Sequence, residues 1–243
     1  MKILFISDIH ANYPALEAVW KKESDSDMIL CAGDLVDWGF YPREVLDWCR
    51  AHNVLAVAGN HDHDMIRWYE DGNATELEGT IAQQNLEQLT REDIAYLKSL
   101  PESRTVCAEN FAFYLKHYYS MEADNRNALL DRWNRYESKM AFDETWPGDV
   151  TAPNRVILTG HSHQCYLYQV GQGSYFLNPG SISYRVCSDS RAKGADYAVL
   201  QDGEFRLRHV DYDRKIFVPL IDQIPLRDPV REAVSYHLIK DLP

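Results

Sequence analysis

The stretch KILFISDIHANYPALEAV, residues 2–19, joins an apolar run to a helix-like segment through a short polar connection. KILFIS (2–7) predicts a buried strand, and Pro14 stands at a favoured early position of a helix over about 14–23. Two more apolar runs follow, MILCA (28–32) and VLAVA (54–58), with a helix from Pro42 to His52 between them. Apolar strands that alternate with helices are typical of a parallel sheet covered on both faces, and predict an α/β fold.

The middle and last parts of the chain predict more helices and then more strands. Helical spacing extends over Ala74–Leu89 and Thr90–Ser99, and Thr90 with Asp93 resembles a capping box. Residues 104–118 predict a hairpin that turns at Glu109-Asn110, and strands recur over 155–211 between GQG, NPGS and DG turns. This second half is expected to be antiparallel or mixed.

The domain organisation predicted from this order is simple. We expect a single domain over residues 1–243, because the sequence contains neither a repeat nor a low-complexity linker. A polar, aromatic-rich stretch at about 121–150 is interpreted as a helical insertion that forms a lid or an interaction surface. A C-terminal extension at about 213–243 ends in a helix that begins near Asp228-Pro229.

Composition limits the possible partners and locations. Lys and Arg number 25 and Asp and Glu 37, a net charge of −12, which argues against binding extended nucleic acid. Small phosphorylated substrates stay possible, since charge from bound metal does not enter this count. The chain has five scattered cysteines without a CxxC pair, no signal peptide and no apolar run of ~18 residues. These features predict a cytoplasmic protein without a membrane span. The oligomeric state cannot be inferred from these features.

A polar group that can bind metal follows a strand-like run at five places. These groups are Asp8-Ile-His10, Asp34, Asn60-His61-Asp62, His117 and His161-Ser-His163. Each one alone is more simply explained as a turn, a helix cap or a solvated pair. Ligand sites assemble at the carboxyl ends of strands in open α/β sheets, however, and five coincidences at equivalent positions are improbable. The pattern therefore predicts one site that all five segments share.

Six blocks of the sequence, taken in order, resemble the calcineurin-like metallophosphoesterases. The blocks are SDIHANYPALEAV, GDLVD, GNHD, the strand end at His117, GHSH and NPGS. They extend from residue 7 to residue 181 and so cover most of the chain. The NPGS block and the short length are most similar to a small bacterial phosphodiesterase branch that includes diadenosine tetraphosphatase-like proteins. The resemblance implies a four-layer sandwich of two mixed β-sheets flanked by helices, with metals at one edge.

The same resemblance implies a role for each polar residue of the blocks. One metal would be held by Asp8, His10 and His163, a second by Asn60, His117 and His161, and Asp34 would bridge the two. Imidazole, carboxylate and amide ligands without thiolates suit two divalent transition-metal ions, manganese first, with iron, zinc, cobalt or nickel as alternatives.

His61, in the GNHD block, is expected to be catalytic. The resemblance implies that it faces the substrate and donates a proton to a phosphate oxygen or to the departing alcohol. Asp62 is interpreted in two ways, as the group that orients His61 or as a cap of the following helix. For Asp37, a turn or an indirect role near the site is favoured over coordination.

Three positions bear on substrate choice. Tyr118 follows His117 where relatives usually have Gly, and is expected to shape the pocket. Trp38 stands where the protein-phosphatase branch has an Arg, which makes that activity less expected. Arg185 is the remaining candidate for a phosphate contact, although an exposed salt bridge explains it as well. Of the other histidines, His52, His209 and His237 are interpreted as surface or core residues, and His63 as a residue of the first turn of a helix.

The function implied is hydrolysis of a phosphodiester by in-line attack of a hydroxide that bridges two metals. Phosphomonoester or dinucleoside polyphosphate hydrolysis is the nearest alternative. A non-catalytic scaffold, as in the retromer subunit of this fold, is a different class of answer, but such relatives lose ligands that this chain retains. A DNA nuclease is argued against by the acidic charge.

Overall fold

The first sheet carries the strands predicted at the start of the chain. In a computed structural model, β1 (Lys2–Ile6), β2 (Met28–Cys31) and β3 (Leu55–Ala56) run parallel, as predicted. Two later strands, β9 (Ala195–Gln201) and β10 (Glu204–Val210), extend the sheet antiparallel beyond β1, which gives the order β10-β9-β1-β2-β3. The structure describes residues 1–72, 77–118, 142–143, 145–148, 150–184, 194–240 and 242.

The second sheet contains the remaining five described strands. They are β4 (Ser103–Ala108), β5 (Phe111–Lys116), β6 (Asn154–Leu158), β7 (Cys165–Gly171) and β8 (Ser174–Pro179), in the order β4-β5-β6-β8-β7. The β4–β5 hairpin and the β7–β8 pair are antiparallel, whereas β6 lies parallel to both β5 and β8. Both sheets are therefore mixed and flanked by helices, and the predicted fold class is confirmed.

The two sheets pack face to face because side chains alternate along each strand. Ile3 and Phe5 of β1 point into the layer between the sheets, where the Phe5 ring lies 5.3 Å from that of Phe113. Leu4 and Ile6 point the other way and join the apolar cluster beneath the helices. All four side chains are fully buried. This alternation on a strand buried on both faces explains the continuous apolar run in the sequence.

Five of the described helices precede the second sheet: two connect the parallel strands of the first sheet, and three lie between β3 and β4. They are α1 (Tyr13–Glu23), α2 (Pro42–Ala51), α3 (Asn60–Asp71), α4 (Ile81–Gln88) and α5 (Arg91–Ser99). The helix predicted over Ala74–Leu89 begins only at Ile81, because the Thr80 side chain caps it by accepting a hydrogen bond from the backbone N–H of Gln83 (3.2 Å). The predicted capping box of Thr90 and Asp93 is present at the start of α5.

The C-terminal residues add a short 3-10 helix (Arg214–Ile216) and two α-helices, α6 (Phe217–Gln223) and α7 (Asp228–Leu238). The predicted helix start at Asp228 is confirmed. Phe217, Val234 and Leu238 pack with Phe40 and Ile81 of the preceding part of the chain in one apolar cluster. Among the described helices, none has the length and apolar character needed to cross a bilayer. Most of the predicted insertion at 121–150 lies outside the described residues.

Candidate metal centre

Five strands of the two sheets deliver the predicted ligands to one edge of the sandwich. Asp8 and His10 follow β1, Asp34 follows β2, and Asn60 lies at the start of α3 after β3. His117 follows β5, and His161 and His163 follow β6. Six of the seven side chains fall into two close groups, Asp8, His10 and His163 in one and Asp34, His117 and His161 in the other. A third group of His10, Asp34 and His61 overlaps both, and Asn60 contacts His117 and His161. The structure thus brings together all the residues to which a metal-binding role was assigned.

The backbone at these strand ends adopts left-handed conformations that aim the side chains inward. The φ angles are +51° at Asp8, +48° at His10, +55° at Asp34, +64° at His161 and +55° at His163. Such values are uncommon for residues other than glycine and cluster at functional sites. Neighbouring strand ends hold two of these turns by backbone hydrogen bonds, from Asp8 N to Gly33 O (2.9 Å) and from His10 N to Asp34 O (3.0 Å).

The first donor group contains Asp8, His10 and His163. Nε2 of His163 lies 3.3 Å from Oδ1 of Asp8 and 3.2 Å from Nε2 of His10. Two donor atoms bound at ~90° to one ion, each at ~2.1 Å, lie about 3 Å apart. The spacing therefore fits ligands of one divalent transition-metal ion.

The second donor group contains Asn60, His117 and His161 around Asp34. Nε2 of His117 lies 3.1 Å from Oδ2 of Asp34 and 3.2 Å from Oδ1 of Asn60. Nδ1 of His161 lies 2.8 Å from the same Asn60 oxygen. Oδ2 of Asp34 is also 3.7 Å from Nε2 of His10, so this carboxylate faces both donor groups.

Hydrogen bonds to backbone carbonyls fix which nitrogen of two histidines faces the centre. Nδ1 of His117 donates to the carbonyl of Ala32 (2.7 Å), and Nδ1 of His163 donates to that of Tyr184 (2.9 Å). In each neutral imidazole, Nε2 must then carry the lone pair, which points at a carboxylate oxygen. Two lone pairs that face each other need a cation between them, either a proton or a metal ion. The arrangement fits metal binding on this chemical ground.

In the protein without metal, protons bind to imidazole groups of the proposed metal ligands. Burial alone would lower the pKa of His117, but the Asp34 carboxylate raises it to about 9. Burial also opposes the charge of His163, and Asp8 outweighs it and raises that pKa as well. His10, by contrast, has a pKa lowered to about 3, chiefly by burial. Protons therefore compete with metal at His117 and His163 rather than at His10.

His61 lies beside the centre and is oriented by Asp37. Its backbone N–H donates to Oδ1 of Asp34 (2.9 Å), and its Nδ1 lies 2.7 Å from Oδ2 of Asp37. Burial acts to lower the pKa of His61, but the hydrogen bond to Asp37 and the charge of Asp34 raise it. The sequence interpretation gave Asp37 only a turn or an indirect role. The second Asp of the GDLVD block, three residues after Asp34, was the signal for this contact.

Asp62 has the capping role, which was one of its two interpretations. Its carboxylate accepts hydrogen bonds from the backbone N–H groups of Gly59 (2.8 Å), Asp34 (3.0 Å) and Leu35 (2.9 Å). Burial, and then the negative charge of Asp34, raise the pKa of Asp62 to about 6. Asp62 therefore ties the loop after β2 to the start of α3, and the orienting contact to His61 comes from Asp37 instead.

Side chains of the NPGS block form hydrogen bonds to the backbone of two ligand-bearing turns. Nδ2 of Asn178 donates to the carbonyl of Gly160 (2.8 Å), next to His161, and Oγ of Ser181 donates to the carbonyl of Asp8 (2.9 Å). Both side chains are fully buried. These bonds hold the ligand turns after β6 and β1 in place.

Aromatic rings line the rim of the centre. Tyr118 is 46% exposed, and its ring centroid lies 5.1 Å from that of His161, which is compatible with its predicted role in shaping the pocket. On another side, Tyr184 lies 4.5 Å from His163, ring to ring, and 4.3 Å from His237. No sequence signal pointed to Tyr184 or His237. Arg185 lies outside the described residues.

The remaining histidines lie in other surroundings, as expected. The His52 ring stacks on that of Trp48 at 4.4 Å, and Nδ1 of His209 pairs with Oδ1 of Asp196 at 2.7 Å. His63 follows the first residues of α3, and its Nε2 pairs with Glu102 at 2.8 Å.

The chain is similar to known proteins in sequence and in fold. The chain is 27% identical over 232 residues to the uncharacterized protein MJ0912 of Methanocaldococcus jannaschii, with 88% of each chain covered. Its fold is similar to that of a metallophosphoesterase from Sphaerobacter thermophilus, with a TM-score of 0.70 and 23% identity over 97% of this chain and 99% of the other. It is equally similar to the hypothetical protein PH1004 of Pyrococcus horikoshii, with a TM-score of 0.72 and 17% identity over 97% and 98%.

The family assignment follows from a match that covers most of the chain. Residues 1–201 match the calcineurin-like phosphoesterase superfamily domain, a span that includes every ligand candidate of the centre. The two structural similarities, at these identities, support the fold alone. On the strength of the match and of the converging ligands, the chain is an enzyme of the calcineurin-like phosphoesterase superfamily.

Proposed function

We propose that the chain hydrolyses phosphodiesters of small molecules at a centre of two divalent metal ions. The observation that carries the proposal is the position of Asp34, whose carboxylate lies 3.1 Å from Nε2 of His117 in one donor group and 3.7 Å from Nε2 of His10 in the other. One metal would be held by Asp8, His10 and His163, the second by Asn60, His117 and His161, and Asp34 would be shared by both.

Charge explains why such a centre would select a phosphate ester. Two divalent ions bring four positive charges, and the buried carboxylates of Asp8 and Asp34 remove two. The remaining positive charge favours a phosphate anion and the additional charge of its transition state. Bound ions would polarise the phosphate and lower the pKa of water toward neutrality. We propose two divalent transition-metal ions, manganese first with iron, zinc, cobalt or nickel as alternatives, because imidazole, carboxylate and amide ligands without thiolates suit this class of ion.

The chain itself would supply a proton to the leaving group through His61. Nδ1 of His61 donates to Asp37, which fixes the ring and favours the protonated imidazole. The second nitrogen, Nε2, would then donate to the departing alcohol. Since the pKa of His61 is raised, the ring keeps this proton at a higher pH than a free imidazole does.

The proposed substrate is small rather than a long nucleic acid, because the net charge of −12 repels a polyanion away from the metals. We further propose that residues 1–243 form one domain, since the C-terminal helices share an apolar cluster with Phe40 and Ile81. The cytoplasmic location stays a prediction from cysteine usage. The buried Cys31 and Cys49 are free thiols and compatible with it.

The test is a metal-reconstitution assay. Protein stripped with a chelator is expected to be inactive and to regain hydrolysis of bis-p-nitrophenyl phosphate with Mn²⁺, at about two ions per chain by elemental analysis. Asp34→Asn should lose metal and activity together. His61→Ala should keep both metals and lose about 100-fold or more in kcat. Faster hydrolysis of p-nitrophenyl phosphate or of a dinucleoside polyphosphate would replace the diesterase assignment with the corresponding alternative.

Matched controls are available on the same helix. His63→Ala removes an exposed histidine two positions from His61, and Asp64→Asn removes a partly exposed carboxylate that pairs with Arg67 at 2.7 Å. Both controls should retain wild-type metal content and turnover. Full turnover in Asp34→Asn, or an inactive protein that binds metal and a protein partner, would contradict the proposed catalysis.

A further inference from the structure

Three aromatic side chains form a continuous surface beside the metal centre, here called the aromatic wall: Trp38, Tyr184 and His237. The ring centroids of Tyr184 and His237 lie 4.3 Å apart with an interplanar angle of 34°. The Trp38 ring lies 5.9 Å from that of His237 and 6.3 Å from that of Tyr184. Each ring therefore contacts the other two.

The aromatic wall adjoins the side of the centre where His61 lies. The Tyr184 ring stacks against His10 at 5.6 Å and lies 4.5 Å from His163. The Trp38 ring lies 6.5 Å from that of His61. The aromatic wall therefore lies next to the histidine that would donate a proton to the leaving group.

His237 belongs to α7, beyond the segment that matches the family at residues 1–201. Packing fixes the helix, because Val234 and Leu238, on either side of His237 along α7, are buried in the apolar cluster with Phe40. His237 is thus presented by a docked helix and not by a loose chain end. The C-terminal extension adds a ring to the rim that the five ligand segments do not supply.

The properties of His237 suit stacking better than phosphate binding. Its contacts among the described residues are ring contacts, to Trp38, Tyr184 and Tyr236. Burial, and then the charge of His163, lower its pKa, so that the ring is neutral at neutral pH and carries no charge for an anion. His237, Trp38 and Tyr184 are each only half-buried, which leaves part of the wall open to a ligand.

We propose that the aromatic wall binds a planar aromatic ester group of the substrate, and that His237 is a specificity-determining residue. This inference rests on the proposed function and names the class of ester that the centre prefers. Planar rings gain from stacking on aromatic side chains whatever their substituents, because every such ring presents a π-face. A nucleoside and a simple aryl group share this chemistry.

The experiment compares two phosphonates that the enzyme cannot hydrolyse. Benzylphosphonate and ethylphosphonate present the same phosphonate group, and only the first carries a ring. Calorimetric titration of the manganese-loaded protein should show benzylphosphonate binding about 3- to 10-fold more tightly. In His237→Ala this preference should fall to within about twofold while the affinity for ethylphosphonate and the metal content are kept. Titration with adenosine 5′-methylphosphonate then shows whether a nucleoside increases the affinity more than a phenyl ring does.

Two further variants keep the test decisive. His237→Phe preserves a planar ring without nitrogen and should keep the preference, whereas Glu232→Ala, at an exposed position of α7, should behave as wild type. Loss of the preference in His237→Phe, or equal loss of both ligands in His237→Ala, would overturn the inference. Suppose that the wild type binds ethylphosphonate and hydrolyses bis-p-nitrophenyl phosphate but does not prefer benzylphosphonate. Then only the proposed role of the aromatic wall is contradicted. If neither phosphonate binds and no ester is hydrolysed, the proposed function fails as well.

Discussion

Oδ2 of Asp37 lies 2.7 Å from Nδ1 of His61, so that this carboxylate fixes both the orientation of the ring and the nitrogen that faces the centre. Asp37 is nearly buried, at 6% exposure, which strengthens the contact with the imidazole. The pair therefore links the loop after β2 to the first turn of α3 at the point where a proton is to be transferred.

Asp37→Asn is expected to reduce kcat about 10- to 100-fold with little change in metal content, because the ring loses the group that orients it. The pH profile distinguishes this positioning role from a general loss of structure. Asp37 raises the pKa of His61, and activity falls when His61 loses its proton. The alkaline limb of the kcat profile should therefore move to lower pH in the variant. An unmoved limb in Asp37→Asn would show that Asp37 acts elsewhere, and Asp64→Asn serves as the control.

Asp62→Asn tests the capping role of the buried carboxylate. The variant should lower the free energy of unfolding by about 1–3 kcal/mol, since backbone N–H groups of Gly59, Asp34 and Leu35 lose acceptors. Urea denaturation of metal-free protein measures this loss. At saturating metal, kcat should fall less than in Asp37→Asn, because the Asp62 carboxylate contacts backbone N–H groups and not His61. A large loss of kcat with unchanged stability would instead favour the orienting role.

The sequence was sufficient to predict those residues of the centre whose positions depend on strand order. Apolar strands that end in polar residues predict convergence, because parallel strands place their carboxyl ends at one edge. Asp8, Asp34 and His117 were found in this way, and they lie in the expected donor groups. The two mixed sheets were predicted as well, although periodicity alone did not give the pairing of β6 with both β5 and β8.

Contacts made by distant parts of the chain could not be predicted from the sequence. The ring contact of Tyr184 with His237 joins residues 53 positions apart, and depends on how α7 docks against Phe40. The choice between Asp37 and Asp62 as partner of His61 also depended on backbone direction. The Asp62 carboxylate caps α3, whereas the Asp37 side chain is directed toward His61 by a left-handed backbone conformation with φ of +69°.

Gly59→Ala should disrupt the shared ligand without adding or removing a charge. A Cβ at this position would lie 2.1 Å from Oδ1 of Asp34 and 2.4 Å from its backbone nitrogen, so the carboxylate would have to move. We expect metal affinity to fall about 10- to 100-fold, measured by competition with a fluorescent chelator. Gly148→Ala is the control, because no atom lies within 4 Å of its added Cβ. Equal affinity in both variants would show that Asp34 does not hold metal.

Asp93→Asn should destabilise the fold away from the centre. Its carboxylate accepts from the backbone N–H of Thr90 (2.9 Å) and pairs with Arg50 (2.7 Å). Loss of the cap is expected to cost about 1 kcal/mol in urea denaturation at pH 7. Burial acts to raise the pKa of Asp93, but these partners outweigh it and lower the pKa. The contribution is therefore present above the ordinary Asp pKa of 3.8, and the difference in stability between wild type and variant should shrink as pH falls below it.

Metal binding should release protons, and its affinity should rise with pH. In the protein without metal, the pKa of His117 is raised to about 9, so this ring is protonated at pH 7, and the pKa of His163 is also raised, so this ring keeps its proton to a higher pH than a free imidazole does. Metal ions must displace these protons to reach Nε2, and at pH 7 about one or more is expected to leave per chain. Calorimetry in buffers of different ionisation enthalpy counts them directly. Affinity should therefore increase as pH rises from 6 toward about 9, and His63→Ala should show the same count. Metal binding without proton release at pH 7 would mean that the ions bind elsewhere than between these imidazoles and carboxylates.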